Sequence, residues 1–257
     1  MSTFYIQASI RSDPAVVRHF AILGRLDGSA ESDHRLAWSL MTDDPAAKRD
    51  FVYKVTGREP FRLEALSPRP ASAPAELWDI RCREVDLRYP PGSVHDITVT
   101  AALTRSARPG SLDGRGKKHD LISAILHDLR AGKPAPEVAH LPPDARRQDV
   151  AQPAALYWFW RAAPRLGFRI APEASGEPLF HGEISDASRS SRPVSGPQQE
   201  ARTGQGCPAG VPSIHAIDIR ARVIVTDPDA FAVTLEHGIG TAKAYGYGMI
   251  RAQQLSQ

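Results

Sequence analysis

The stretch from His237 to Ile250 holds glycines at 238, 240, 246 and 248, a lysine at 243 and tyrosines at 245 and 247. Glycine reaches positive φ without steric cost and leaves the backbone bare. A bare backbone can turn several N–H groups toward a phosphate, and Lys243 adds a cation that is costly to bury unpaired. Phosphate binding is therefore one chemistry this stretch can do. The same spacing also suits a glycine-rich connection that only packs closely. A dinucleotide fingerprint fits less well. There the glycines lead from strand to helix, whereas here they follow a helical pattern and run into an apolar, strand-like end.

Other reactive constellations are thin. The nine histidines include no pair at i, i+4 with a glutamate between them, and Cys82 and Cys207 have no metal spacing. No Gly-x-Ser-x-Gly elbow occurs. Neither a metal nor a cofactor is expected. The net charge of +3 permits a nucleic-acid partner without demanding one. A strand pattern begins almost at once, with no basic-apolar-small order of a signal peptide. No apolar run is long enough to span a membrane. A reduced, cytoplasmic protein without membrane contact is the expectation.

The elements that must hold these residues follow from periodicity. Phe4, Ile6, Ala8 and Ile10 alternate as a strand with one buried face. A polar stretch runs to Asp33. A helix then starts near His34, with Leu36, Ala37, Leu40 and Met41 on one face and Ser32 or Asp33 as its cap. Strands are predicted over 49–55, 61–67, 77–88 and 95–104, the last with Ile97, Val99, Ala101 and Leu103 inward. Residues 104–118 differ in kind: Arg105, Arg108, Arg115, Lys117 and Lys118 stand among glycines and a proline as a flexible basic segment. Helices are predicted over 119–130 and 154–166, the second a buried one carrying Tyr157, Trp158, Phe159 and Trp160. Strands follow over 168–170, 179–184 and 214–225, and 186–212 reads as a mobile loop. Asp227 and Pro228 open a last helix as cap and first residue, which Gly238 ends in a left-handed cap. Two α+β domains suit this order.

The run Gly238-Ile-Gly-Thr-Ala-Lys-Ala-Tyr-Gly-Tyr-Gly-Met-Ile250 resembles the C-terminal motif G-x-G-x-x-K-x-x-G-x-G of the CRISPR repeat-associated RNA-processing proteins, and within them the CasE-type pre-crRNA endoribonucleases of the Cascade system. His34-Arg-Leu-Ala-Trp38, Arg49 to Tyr53, Thr98 to Lys118, Ile219 to Val225 and Asp227 to Leu235 match the same family in order. The resemblance implies tandem ferredoxin-like (RRM-like) domains with a C-terminal glycine-rich loop. They would divide as residues 1–104 with the catalytic histidine, a basic linker 105–118, and residues 119–257. Segments 127–150 and 186–212 look like insertions. Many members carry a tyrosine three residues before the histidine; Glu31 stands there in this chain.

The implied activity is a metal-independent cut of CRISPR repeat RNA beside a stem-loop, in which the RNA's own 2′-OH attacks the adjacent phosphate and leaves a 2′,3′-cyclic phosphate. Such a site aligns the attack, moves two protons and offsets phosphate charge. The resemblance makes His34 catalytic, and an imidazole suits either proton transfer. The positive end of its helix would favour the neutral form. Lys48 is the second catalytic candidate, with Lys54 and Lys243 as further cations. RNA contacts are expected from Arg35, Arg105, Arg108, Arg115, Lys117 and Lys118, and from Gly238, Gly240, Lys243, Gly246 and Gly248. Tyr245 and Tyr247 suit either base stacking or the core. Partners would be the repeat stem-loop and other subunits of a Cascade-like effector complex. A non-catalytic crRNA-binding subunit, or a small-molecule enzyme with a phosphate-binding glycine loop, are the alternative readings.

Overall fold

A computed structural model describes residues 2–23, 26–42, 47–106, 118–173, 175–186, 189–190 and 213–254. The first sheet comes from β1 (Thr3–Ile10), β2 (Val52–Arg58), β3 (Phe61–Ser67) and β4 (Trp78–Val85), in the order β2-β3-β1-β4 with every neighbour antiparallel. Helices α1 (Pro14–Ile22) and α2 (Ala30–Met41) lie between β1 and β2 in sequence and cover one face. This is the strand order of a split βαβ unit. The return from β3 to β4 carries Pro68, Pro70 and Pro74 in place of a second helix, since proline removes helical donors and clashes with the preceding turn.

The second sheet repeats that order. It is built from β5 (Val94–Ala101), β8 (Phe168–Ile170), β9 (Phe180–Ile184), β12 (Ile217–Val225) and β13 (Arg251–Gln254), arranged β13-β5-β12-β8, with β9 also on β12. β8 pairs with Val223–Val225 and β9 with Ile217–Ala221, so the two are successive pieces of one edge. Between them in the chain come β6 (Thr104–Ser106), β7 (Lys118–Asp120), α3 (Leu121–Arg130), α4 (Arg147–Ala162), β10 (Arg189–Ser190) and β11 (Ser213–Ile214); α5 (Pro228–His237) precedes β13. The alternation read from the sequence holds in both central strands. Ile97, Val99 and Ala101 of β5 are buried, as are Ile217, Ile219, Ala221, Val223 and Val225 of β12. The α+β fold with tandem ferredoxin-like sheets stands as expected.

Several boundaries move. β5 pairs with β12 and β13, so the join between the sheets lies between Val85 and Val94, not at 104. β6 and β7 pair antiparallel, so the two ends of the expected linker, Thr104–Ser106 and Lys118–Asp120, lie side by side. Residues 107–117, including Arg108, Arg115 and Lys117, lie outside the described ones. The 186–212 segment carries the short β10–β11 pair at its ends, and most of it is likewise outside. α1 was not anticipated, although Asp13 accepts from the Ala15 amide and Pro14 sits at the first helical position, the same pairing that marked α5. α4 starts seven residues earlier than expected because Pro153 lies within it instead of ending it. A helix turns about 100° per residue, so its aromatic run cannot be buried as a block: Phe159 is enclosed and Trp160 is 72% exposed.

Beneath α5 the imidazole of His95 is fully buried against the rings of Tyr89 and Phe231. Its Nε2 stands 2.9 Å from Ser93 Oγ, whose own hydrogen goes to the Pro90 carbonyl at 2.6 Å. Nε2 therefore carries the ring proton. Nδ1 is an acceptor with no partner among the described residues. Burial lowers the His95 pKa below the ordinary imidazole value of 6.5. As pH falls, the unfolded chain takes up this proton first, so stability is full above about pH 6.5 and drains away below it, until the folded pKa is reached. The melting temperature is expected to drop between pH 7.5 and pH 5. His95→Phe, which keeps a ring in the site, is expected to reduce that drop. Thermal melts at the two pH values check this; an unchanged drop in the variant would contradict it.

Candidate active site where the glycine-rich turn meets helix α2

Helix α2 begins at Ala30, capped by Ser29, whose hydroxyl accepts from the Ser32 amide at 3.1 Å. It starts a turn earlier than the sequence suggested, which places His34 in the second turn and beyond direct contact with the helix's positive end. Asp33 does not cap. It is buried and held by Arg58 of β2 through two hydrogen bonds of 3.0 and 2.7 Å. Leu36, Ala37, Leu40 and Met41 bury one face of α2, as expected. Glu31, His34, Arg35 and Trp38 recur at helical spacing on another. Arg35 pairs with Glu31 one turn away.

The second half of the site arrives from the other end of the chain. Gly238 closes α5 with φ 65° and ψ 178°, a region reserved to glycine but not the left-handed cap expected. The chain then runs through Gly240 (φ 73°), Ala242 (φ 58°), Gly246 (φ 83°) and Gly248 (φ 84°). The 3-10 turn Lys243–Tyr245 between them packs on α2 and β2. The amides of this segment are largely occupied: Gly248 donates to the Thr100 carbonyl at 2.7 Å, Ile239 to Gly248 at 2.9 Å and Thr241 to Ala102 at 2.8 Å. The amides of Gly238 and Gly246 donate to Thr234 and Lys243. The open phosphate cradle expected of Gly238, Gly246 and Gly248 is thereby corrected. These glycines let backbones approach one another, as Gly240 does too: a Cβ on it would stand 2.6 Å from the Ala102 carbonyl oxygen.

What the turn offers to α2 is a carbonyl. Ala244 O lies 2.7 Å from His34 Nδ1 and accepts from the Tyr53 hydroxyl at 2.9 Å. Trp38 Nε1 donates to His34 Nε2 at 3.1 Å. A carbonyl only accepts and an indole N–H only donates, so the hydrogen-bond network assigns the ring proton to Nδ1 and a lone pair to Nε2. His34 is neutral in this arrangement. Burial lowers its pKa; the Ala244 hydrogen bond acts the other way; Arg49 and Arg35 lower it further and Glu31 raises it. The Tyr245 ring centroid stands 6.0 Å from that of His34. Tyr247 is core.

The other expected site residues separate. Arg49, which the sequence reading passed over, is near enough to act on His34, while Lys48 is exposed one residue earlier. Arg49 and Lys243 line one cleft with Phe51, Glu236 and His237; Lys243 Nζ also lies 3.4 Å from the Gly238 carbonyl. Lys54, half-buried, senses Asp218, Arg251 and Glu64, so it belongs to the junction of the two sheets. Arg105, on β6, is ion-paired with Asp128 of α3 at 2.7 Å, and Lys118 opens β7. Tyr53 and Trp38 were missed as partners. The His34–Trp38 spacing of four was the available signal for the second. Among the described residues no group of three or more His, Cys, Asp or Glu stands together as a metal site, and no helix is long and apolar enough to cross a membrane.

Two ferredoxin-like sheets are bridged by a glycine-rich turn, with one neutral histidine at the bridge. The family described as CRISPR associated protein matches residues 8–252, and the chain belongs to that family. No curated protein matches it. Among solved structures it is similar to the CRISPR endoribonuclease Cse3 bound to a 19-nucleotide RNA, at 13% identity, covering 98% of this chain and 100% of that one with a TM-score of 0.62. Thermus thermophilus Cse3 bound to an RNA representing a pre-cleavage complex gives 13%, 98%, 100% and 0.61. Cas6e from Escherichia coli K-12 gives 15%, 98%, 100% and 0.55.

Two glycines test the packing role. Gly92 and Gly248 have φ of 80° and 84°, but a Cβ on Gly92 meets nothing within 4 Å whereas one on Gly248 overlaps the Ile239 carbonyl. Gly92→Ala is expected to cost roughly 1–2 kcal/mol, the left-handed penalty alone. Gly248→Ala is expected to cost clearly more, read from urea denaturation midpoints. Equal costs would contradict close approach as the reason for Gly248.

Proposed function

We propose that this protein is an endoribonuclease that cuts CRISPR repeat RNA beside a stem-loop without a metal ion. His34 Nε2 takes the proton of the 2′-OH as the 2′ oxygen bonds to phosphorus. The bond from phosphorus to the 5′ oxygen breaks, that oxygen takes a proton from the imidazolium or from water, and a 2′,3′-cyclic phosphate remains. Arg49, Arg35 and Lys243 offset the charge that builds on the phosphate, and exposed Lys48 adds to the same field. The observation that carries this reading is the 2.7 Å contact of His34 Nδ1 with the Ala244 carbonyl: an oxygen that only accepts fixes the ring proton on Nδ1 and leaves the lone pair on Nε2, as a base requires. The likeness to solved CRISPR endoribonucleases bound to RNA supports the substrate class. Retention on the product, as a subunit of a Cascade-like complex, fits the same reading.

One observation favours a second reading, an RNA-binding subunit that does not cut: Nε2 is already engaged by Trp38. Cleavage of a repeat hairpin separates the two. His34→Ala is expected to lower the single-turnover rate by about 10²–10⁴-fold while leaving hairpin affinity nearly unchanged. Because the pKa of this base is lowered, it stays neutral through pH 7, and the rate is expected to fall only as pH drops below the ordinary imidazole range. Activity is expected to persist in excess EDTA and to stop when the nucleotide 5′ to the scissile phosphate is 2′-deoxy. A rate that instead falls as pH rises would make His34 an acid. Cleavage that survives His34→Ala, or that needs Mg²⁺, would place the chemistry elsewhere.

A further inference from the structure

We infer that Trp38 is a positioning residue for the reaction: its indole N–H holds His34 in the one tautomer and ring orientation that present Nε2 as a base. The hydrogen bond is 3.1 Å long and joins residues one helical turn apart on α2. On its far side the Trp38 ring meets Phe51 edge-on at 5.4 Å, and Phe51 is buried. The indole is therefore held by the first-sheet core, and the imidazole lies between it and the Ala244 carbonyl. The two partners are complementary in kind. Ala244 accepts only, so it takes the Nδ1 hydrogen; Trp38 donates only, so it fills the Nε2 lone pair. Protonating Nε2 would set one N–H against another, so the pair disfavours the imidazolium until the indole is displaced. A 2′-OH that donates to Nε2 replaces the indole with a donor of the same sense, and the tautomer is preserved through substrate entry.

The other groups facing His34 act through space or packing. Glu31 and Arg35 lie on α2 and Arg49 before β2; Tyr53 reaches the same carbonyl from β2, and Tyr245 packs from the turn. Among the described residues, Trp38 is the side chain hydrogen-bonded to the reacting nitrogen. Its loss should therefore be felt at that nitrogen without disturbing the bond to Ala244.

The test is nitrogen-15 NMR of the full chain labelled at histidine, without RNA, on wild type and Trp38→Phe, which keeps an aromatic ring against Phe51 and deletes the N–H. The wild type is expected to show His34 as the Nδ1–H tautomer at neutral pH. In Trp38→Phe the titration midpoint of His34 is expected to move upward, since loss of one neutral hydrogen bond to the unprotonated ring shifts the neutral-to-charged ratio by about five-fold. A wild-type spectrum showing Nε2–H, or a midpoint unmoved in the variant, overturns the inference. A wild-type spectrum showing Nε2–H overturns the inference even where the variant does not fold. A kinetic arm rests on the cleavage reading above: the variant is expected to cut more slowly at pH 6, recover by pH 8 and keep its hairpin affinity. A deficit equal at both pH values overturns the positioning role. Absence of cleavage in wild type, with the predicted spectra intact, would count against the reaction and not against the Trp38–His34 pair.

Discussion

A single backbone carbonyl, that of Ala244, accepts from His34 of α2 and from Tyr53 of β2. Most other features of the site exist to bring that oxygen there. It belongs to a segment some two hundred residues from α2 in sequence, so the fold must carry it across both sheets. α5 ends at Gly238, the glycines let the returning backbone lie on β5 and on itself, and β13 then pairs with the outer side of β5. Arg251 of β13 reaches Glu64 of β3 at 2.6 Å, which ties the same segment to the first sheet a second time. Ala242 holds φ 58° without being glycine. That conformation costs roughly 1–2 kcal/mol and is retained in the turn that presents the carbonyl.

The carbonyl also sets the tautomer. An imidazole with only solvent for company would exchange tautomers freely. Here Nδ1 is committed, so chemistry is left to Nε2. Burial favours the uncharged ring, and the nearby cations act in the same direction, with Glu31 partly opposing them. The cations that make the ring less basic are also those placed to meet a phosphate, so under the proposed reaction one charge distribution serves base and substrate together.

Much of the architecture was legible because its signals are local. The alternation in β5 and β12 announces buried central strands, and Asp227-Pro228 announces the start of α5. The same Asp-Pro signal at 13–14 marks α1 but sits in a polar stretch whose apolar face is short, with Phe20 its one buried side chain. The duplication of the two sheets was not visible as sequence similarity. Strand order is set by which faces must be buried, and different side chains satisfy that equally well. The unit boundary was displaced because the basic run at 105–118 looks like a linker, and only the pairing of β6 with β7 shows that its two ends lie side by side. In the site, the family resemblance pointed to His34 and the residue types to Lys243. Its hydrogen-bond partners did not show: a carbonyl has no side-chain signature, Tyr53 reads as an inward strand residue, and Trp38 reads as part of a helix. The glycines were read by what they leave open, whereas the fold uses them for what they let come close.

The most direct measurement follows the oxygen atoms of the first-formed product. A repeat hairpin is cleaved under single-turnover conditions in ¹⁸O-labelled water, and the 3′ end of the upstream fragment is examined by mass spectrometry at early times. Attack by the neighbouring 2′-OH, with His34 as its base, predicts a 2′,3′-cyclic phosphate that contains no label, because no water oxygen enters the phosphorus before the bond breaks. A linear phosphate carrying ¹⁸O from the earliest time points would mean that water is the nucleophile, and would contradict the account.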